Sequence, residues 1–173
     1  MRPLPGQVLH FSEDPHITRF VPHVAATAQQ PEPYVWAVDA LNAPSYWFPR
    51  QCPRVCSWGT AEQEAPRVHA VEEAWLATLR ATTLYAYRFA ATDFEPFGER
   101  PHAHVATHAV APLGPPVEVG DLVRLHAEHD VELLVLPTLE EHFAGVLQRG
   151  LEFSAIRMGN AGVGPAGPFA TRR

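Results

Sequence analysis

Strand-like segments recur along this chain at unequal spacing, and helices separate only some of them. The runs VLHF (8–11), YVWAVD (34–39), VCSW (55–58), TLYAYRF (83–89), HAHVATHAVAP (102–112), VELLVLP (131–137) and FSAIRM (153–158) are short. Most are rich in β-branched and aromatic residues, which suit a pleated, half-buried surface. No regular strand–helix alternation links them. That favours an α+β fold over a doubly wound one: a single domain with a mixed or mainly antiparallel twisted sheet and three main helices. The sheet is expected to carry His10, Trp36, Tyr85 or Tyr87, and the segment around His104. In the 83–89 run, Leu84, Ala86 and Arg88 face away from Tyr85, Tyr87 and Phe89.

The helical segments are read from spacing and punctuation. Asp14 with Pro15 at the first position opens a short helix that Pro22 limits. Val68, Val71, Trp75 and Leu79 recur at helical intervals and predict a helix over 65–81. A third segment, 118–130, has Val119, Leu122, Val123 and Leu125 as its inner stripe. The last, 138–150, has Thr138 as cap, Glu141 as its capping-box partner and Gly150 as the stop. Segment 24–34 reads as a polar loop, and 42–54 as a turn or short helix between prolines. The domain is expected to span 1–160, with 161–173 a flexible C-terminal tail.

Charge and composition exclude several chemistries. No apolar run approaches the roughly 20 residues that cross a bilayer, and no signal-peptide core follows the first methionine, so a soluble cytoplasmic protein is expected, with no membrane partner. Net charge is −6, from 13 basic and 19 acidic residues. That balance argues against a nucleic-acid partner held by phosphate neutralisation. Every basic side chain is arginine, so a Schiff-base or phosphate-loop lysine is excluded. Cys52 and Cys56 lack the spacing of a redox or zinc pair and read as free thiols. The sequence leaves oligomeric state open.

Three histidines, His102, His104 and His108, would project from one face of a strand and could share a metal. No carboxylate pattern supports that, so they read as a solvated face and no metal is expected. His10-Phe11-Ser12 and His16-Ile17-Thr18 share the letters of a paired phosphoesterase motif, but they lie too close to come from opposed strands. Ser12, Ser45, Ser57 and Ser154 lack a nucleophile-elbow context.

The runs LHFSE, VWAVD, FPRQCPR, YRF and FSAIR, in that order, resemble a family of small uncharacterised bacterial proteins over most of the chain. The layout is also distantly similar to small ADP-ribosyltransferases, including the rifampin-modifying enzymes, which begin with a strand ending in His-x-Thr or His-x-Ser. His10 and Ser12 match that opening, and Trp36 or Tyr46 stands for the family's aromatic. HAVAPLGPPVEVGD resembles a later segment, with Glu118 or Asp121 as the carboxylate. The chain has no clear Glu-x-Glu or Gln-x-Glu pair at its end.

The resemblance implies NAD as substrate, with His10 and Glu118 catalytic. Ser12, Trp36, Tyr46, Arg50 and Arg54 would contact the ligand. Cleaving the nicotinamide–ribose bond builds positive charge on the ribose, which a carboxylate stabilises and an aromatic face helps to position. The rival expectation is a non-enzymatic domain whose Arg50 and Arg54 hold an anionic nucleotide-like or phosphate ligand, a small-molecule partner in either case. The sharpest expectation places His10 and Arg54 on one concave pocket near Trp36, with Val35, Phe48 and Trp58 as walls.

Overall fold

The structure, a computed structural model, describes residues 2–24, 31–98 and 102–165. In chain order its strands are β1 (Gln7–Ser12), β2 (Val35–Ala37), β3 (Arg54–Trp58), β4 (Arg67–Glu72), β5 (Tyr85–Ala90), β6 (Glu95–Pro96), β7 (His104–Ala106), β8 (Val117–Glu118), β9 (Val131–Leu136) and β10 (Glu152–Ile156). Three α-helices accompany them: α1 (Leu76–Ala81), α2 (Leu122–Glu128) and α3 (Glu140–Gln148). The fold is α+β, and its pairings are antiparallel except β4 with β9. The chain divides into two compact units, Met1–Trp47 with Thr83–Gly120 and Phe48–Thr82 with Asp121–Arg173. No helix among the described residues is long and apolar enough to cross a membrane.

The first unit is built on strands. One small sheet has the order β1-β5-β8 and another β2-β7-β6. A single bridge joins them, with Leu9 and Val38 exchanging both backbone hydrogen bonds at 2.8 Å. Alternation in β5 sorts its side chains as the sequence predicts. Ala86 packs with Leu9, Val38, Ala43 and Ala103 on one face. Tyr87 and Phe89 join Val8, Phe20, Val35 and Phe94 on the other. Phe20 meets Tyr87 and Phe89 edge-on at 5.0 and 5.1 Å, an arrangement that aligns ring edges with ring faces. Fully burying a side chain such as Phe89 stabilises by about 1.5–3 kcal/mol.

The expected helix after Asp14 does not form. Asp14 Oδ1 instead accepts the His16 N–H at 2.8 Å, a local turn that competes with helix. The Tyr87 hydroxyl donates to the Asp14 carbonyl at 2.6 Å and accepts the Ile17 N–H at 3.1 Å. Phe20 then spends its N–H and C=O on Val110. These partners lie about seventy residues or more away in sequence, outside any local window.

The second unit has one four-stranded sheet, β10-β3-β4-β9, with β9 running parallel to β4 at an edge. Val55 and Ala70 bury one face against Leu139, Val146 and Leu151, supported by Leu134, Leu136 and Phe143. The opposite face carries Arg54, Cys56, His69 and Val71, placed together by the Arg54–Val71 and Cys56–His69 register.

Here the predicted 65–81 helix is corrected: residues 67–72 are β4, a 3-10 turn follows over Glu73–Trp75, and only Leu76–Ala81 is α-helical. His69, Ala70, Val71 and Glu72 are all buried in a central strand, so both faces are covered and the period of two disappears. VELLVLP forms β9, but as a half-covered edge strand and not a fully buried one. The 118–130 helix begins only at Leu122, capped by Asp121, whose carboxylate accepts the Val123 and Arg124 N–H groups; Val117–Glu118 is strand. In α3 the cap position is Leu139 with no side-chain bond, so the Thr138 capping box is not realised. Gly150, at φ +65°, ends that helix as predicted.

The start of the expected tail is held. Gly162 N–H donates to the Glu72 carboxylate at 2.9–3.0 Å, and Asn160 is buried. Residues 166–173, residues 25–30 of the polar loop, and Pro101 at the head of the histidine run lie outside the described residues.

Candidate functional sites in the two units

His10, Ser12, Trp36, Tyr46 and Glu118 belong to the first unit, Arg50 and Arg54 to the second. Within the first, His10 is half-buried on β1, its ring 4.8 Å from that of Phe20. His10 Nδ1 donates to the Trp36 carbonyl at 2.7 Å, which fixes the orientation of the ring. Register then relates the other residues. His10 pairs with Tyr87, Ser12 with Tyr85, and Tyr85 with Glu118. Directly paired residues share a face, so His10, Ser12, Tyr85 and Glu118 stand on one side of β1-β5-β8. Strands lie roughly 5 Å apart, which puts Glu118 about 10 Å from Ser12 across β5.

Glu118 is exposed, while Ser12 Oγ accepts the Asp14 N–H at 3.1 Å. The Trp36 ring packs edge-on against Phe97 at 4.8 Å and Tyr34 at 5.8 Å. Tyr46 lies in a 3-10 turn and packs beside Leu9, Val38 and Ala43. Asp121, the alternative carboxylate, is committed to capping α2. Of the three histidines, only His104 lies on β7, and its Nε2 sits 3.6 Å from the Asp39 carboxylate. No group of three or more His, Cys, Asp or Glu among the described residues is placed to hold a metal ion.

In the second unit the proline-bracketed loop holds Arg50 exposed and Arg54 buried, at 4% exposure. Arg54 Nη1 donates to the Cys52 carbonyl at 3.0 Å, and its guanidinium lies 5.0 Å from the Phe48 ring centre. Phe48 and Trp58, expected as pocket walls, thus each serve as a platform for an arginine: Arg67 lies 4.6 Å over Trp58. Val35 is part of the first unit's core. Strand β10 adds a third cation to the Arg50–Arg54 corner. Ile156 is the register partner of Arg54, and the next residue, Arg157, donates Nε–H to the Arg50 carbonyl at 3.1 Å. Burial lowers the Arg157 pKa from the ordinary arginine value, and the Arg50 and Arg54 charges lower it further. Arg157 was legible only as part of FSAIR; strand pairing is what brings it to the loop.

The same unit buries a polar chain that the sequence did not reveal. His126 Nδ1 faces the Leu122 carbonyl at 2.6 Å and must donate, so Nε2 accepts from His69 Nδ1 at 3.0 Å. His69 Nε2 then accepts from Arg67 Nε at 3.3 Å. Both ends require the same direction, with both imidazoles neutral. Burial pushes His69 well below its usual pKa, helped by His126, Arg67 and Arg54. It takes His126 down to about 4, against the opposing bond to Leu122. The available signals were faint: a histidine inside the apolar run of 68–71, and another four residues after Leu122. Cys52 and Cys56 are buried free thiols, and burial pushes Cys52 up to about 12, which makes it a poor nucleophile.

A family model described as a family of unknown function (DUF6886) matches residues 9–161, which include every candidate site residue named in this subsection. No curated protein and no solved structure matches the chain.

Proposed function

We propose that this chain, which belongs to the DUF6886 family of unknown function, binds NAD as an ADP-ribosyltransferase-like protein, with the first unit carrying the reactive groups. One observation carries this reading: His10, fixed through Nδ1 by the Trp36 carbonyl, shares a sheet face with Glu118. An imidazole fixed in orientation on that face positions a ribose by hydrogen bonding. Glu118, exposed at the end of the same face, supplies the negative charge that an oxocarbenium-like ribose calls for.

The reading is tested by calorimetry with NAD and by following nicotinamide release. His10→Asn keeps an amide donor for the Trp36 carbonyl and removes Nε2; Glu118→Gln removes the charge. The expected outcome is NAD binding weakened several-fold by His10→Asn, and nicotinamide release reduced by about 10²-fold or more by Glu118→Gln. Release that persists unchanged in Glu118→Gln would overturn the catalytic assignment.

A second reading rests on a separate observation, the arginine corner of the second unit. It takes the protein as a non-enzymatic binder of an anionic, nucleotide-like or phosphate ligand. Binding of ADP-ribose or phosphate with no nicotinamide released over long incubation would favour it.

A further inference from the structure

We infer that residues 157–165 form a strap, latched on Glu72, that opens locally while the sheet beneath stays folded, and that in opening it uncovers Glu72 and Cys52 together.

Arg157, at φ 57°, turns the backbone off β10, and a 3-10 turn over Met158–Asn160 carries it across the 49–53 loop. There the Arg157 Nε–H donates to the Arg50 carbonyl at 3.1 Å, and Asn160 Nδ2 donates to the Gln51 carbonyl at 2.6 Å. These are the two residues before Cys52. The chain next reaches the end of β4, where the Gly162 N–H donates to both Glu72 carboxylate oxygens, at 3.0 and 2.9 Å. Further on, Gly164 passes so near Ala74 that a Cβ on the glycine would lie 3.6 Å from that of Ala74. Burial raises the Cys52 pKa and the Glu72 charge adds to the rise, so the two groups are neighbours. Glu72 is 2% exposed and Cys52 is fully buried. The strap runs over both.

The strap is lightly held. Residues 157–165 contain neither strand nor α-helix, so no backbone ladder ties them to the sheet. Met158 packs against the second unit's apolar cluster close to the point where the strap leaves β10, which makes that end the hinge. Beyond it, Gly162 and Val163 are exposed. Gly162 and Gly164 take φ of 75° and 71°, and glycine loses more conformational freedom on being ordered than any other residue. A segment with few buried apolar contacts and an exposed backbone opens before the core does.

Two polar groups are also poorly served while the strap is down. Asn160 Oδ1 is buried with no hydrogen-bond partner among the described residues. At Glu72 one N–H spans both oxygens, although an ionised carboxylate has room for about four hydrogen bonds. Water reaches both groups when the strap lifts, and it also replaces the bonds that Gly162 and Asn160 give up. Opening therefore exchanges one incomplete set of hydrogen bonds for a complete one, and the strap is poised near balance. Closed, it keeps the thiol from reagents; open, it presents a carboxylate and a thiol on one surface.

The test follows the labelling of Cys52 by dithiodipyridine in the full-length Cys56→Ala chain, where Cys52 is the one thiol left. The thiolate attacks the reagent's S–S bond and keeps one half as a mixed disulfide. The other half leaves as thiopyridone, which is read by its absorbance, and the thiol proton goes to water. Labelling is expected to be slow and nearly independent of urea at low concentration, because a local opening exposes little surface, and to steepen only when global unfolding takes over. Glu72→Gln removes the charge that holds the latch and should speed the urea-independent labelling at least tenfold. Gly162→Ala, strained at φ 75°, should speed it several-fold and decides the matter alone if the glutamine variant does not fold. Gly150→Ala, equally strained at φ 65° but beyond the other end of β10, should leave that rate unchanged even where it lowers the melting temperature. Labelling that climbs with urea as steeply as global unfolding from the first addition would overturn the inference. So would a Gly162→Ala rate no faster than that of Gly150→Ala, or wild-type labelling as fast as that of a free thiol.

Discussion

The two units solve the problem of burial in opposite ways. In the first, β5 buries Tyr87 and Phe89 among carbon side chains, and the polar groups that matter, Glu118 and the His10 ring, stay exposed or half-buried. In the second, the central strand β4 takes His69 and Glu72 wholly inside, beside Arg54 on β3, and must satisfy each one. A carbon core loses stability in proportion to the volume removed, whereas a polar chain fails when one member loses its partner. The first unit is thus tolerant in polarity and sensitive to shape. The second is sensitive to both.

The largest expected effect breaks the polar chain. His69→Ala leaves His126 Nε2 without its donor and opens a cavity, and should cost about 3 kcal/mol in urea unfolding. Replacing His69 and His126 together by leucine removes both demands at once and should recover most of that loss. A double variant no more stable than His69→Ala would mean that imidazole shape, and not hydrogen bonding, is what this core requires.

Acidification should separate the units with an effect of similar size. His126 titrates near 4 in the folded chain against 6.5 when free, and His69 is lowered too, so the unfolded chain binds more protons in between. Stability is complete above about 6.5 and drains as pH falls toward 4, by about 3 kcal/mol for His126 alone. Hydrogen exchange at pH 4.5 should show β3 and β4 amides losing protection by more than those of β1 and β5. Equal losses in both sets would erase the distinction drawn here.

The smallest effect sharpens the comparison from the first unit's side. Tyr87→Phe removes one donor and one acceptor but no packing volume, and should cost about 1–2 kcal/mol. The change should register locally, as faster exchange of the Ile17 amide, with β5 protection nearly intact. Loss of β5 protection would show that the 14–17 turn supports the sheet as well as depending on it.

Part of the site was legible before the fold was known. His10 at a strand end, Trp36 on the next strand and the arginines of FPRQCPR were all visible as residue types in suggestive places. What could not be read was their company. Arg157 lies more than a hundred residues from Arg50, and only the β10–β3 register joins them. His69 and His126 lie 57 residues apart, in segments read as two separate helices.

By itself the sequence determined the α+β class and most of the strands, because alternation and β-branched runs act over a few neighbouring residues. β1, β2, β3, β5, β7, β9 and β10 could be placed from their own letters alone. Tertiary structure alone decided that 67–72 is a strand, since covering both of its faces erased the periodic signal. It also decided that 14–17 is a turn, because the hydroxyl that captures its backbone comes from Tyr87. The same cause governs the sites. Hydrogen bonds and charge clusters between residues distant in sequence exist only once strand register has brought those residues together.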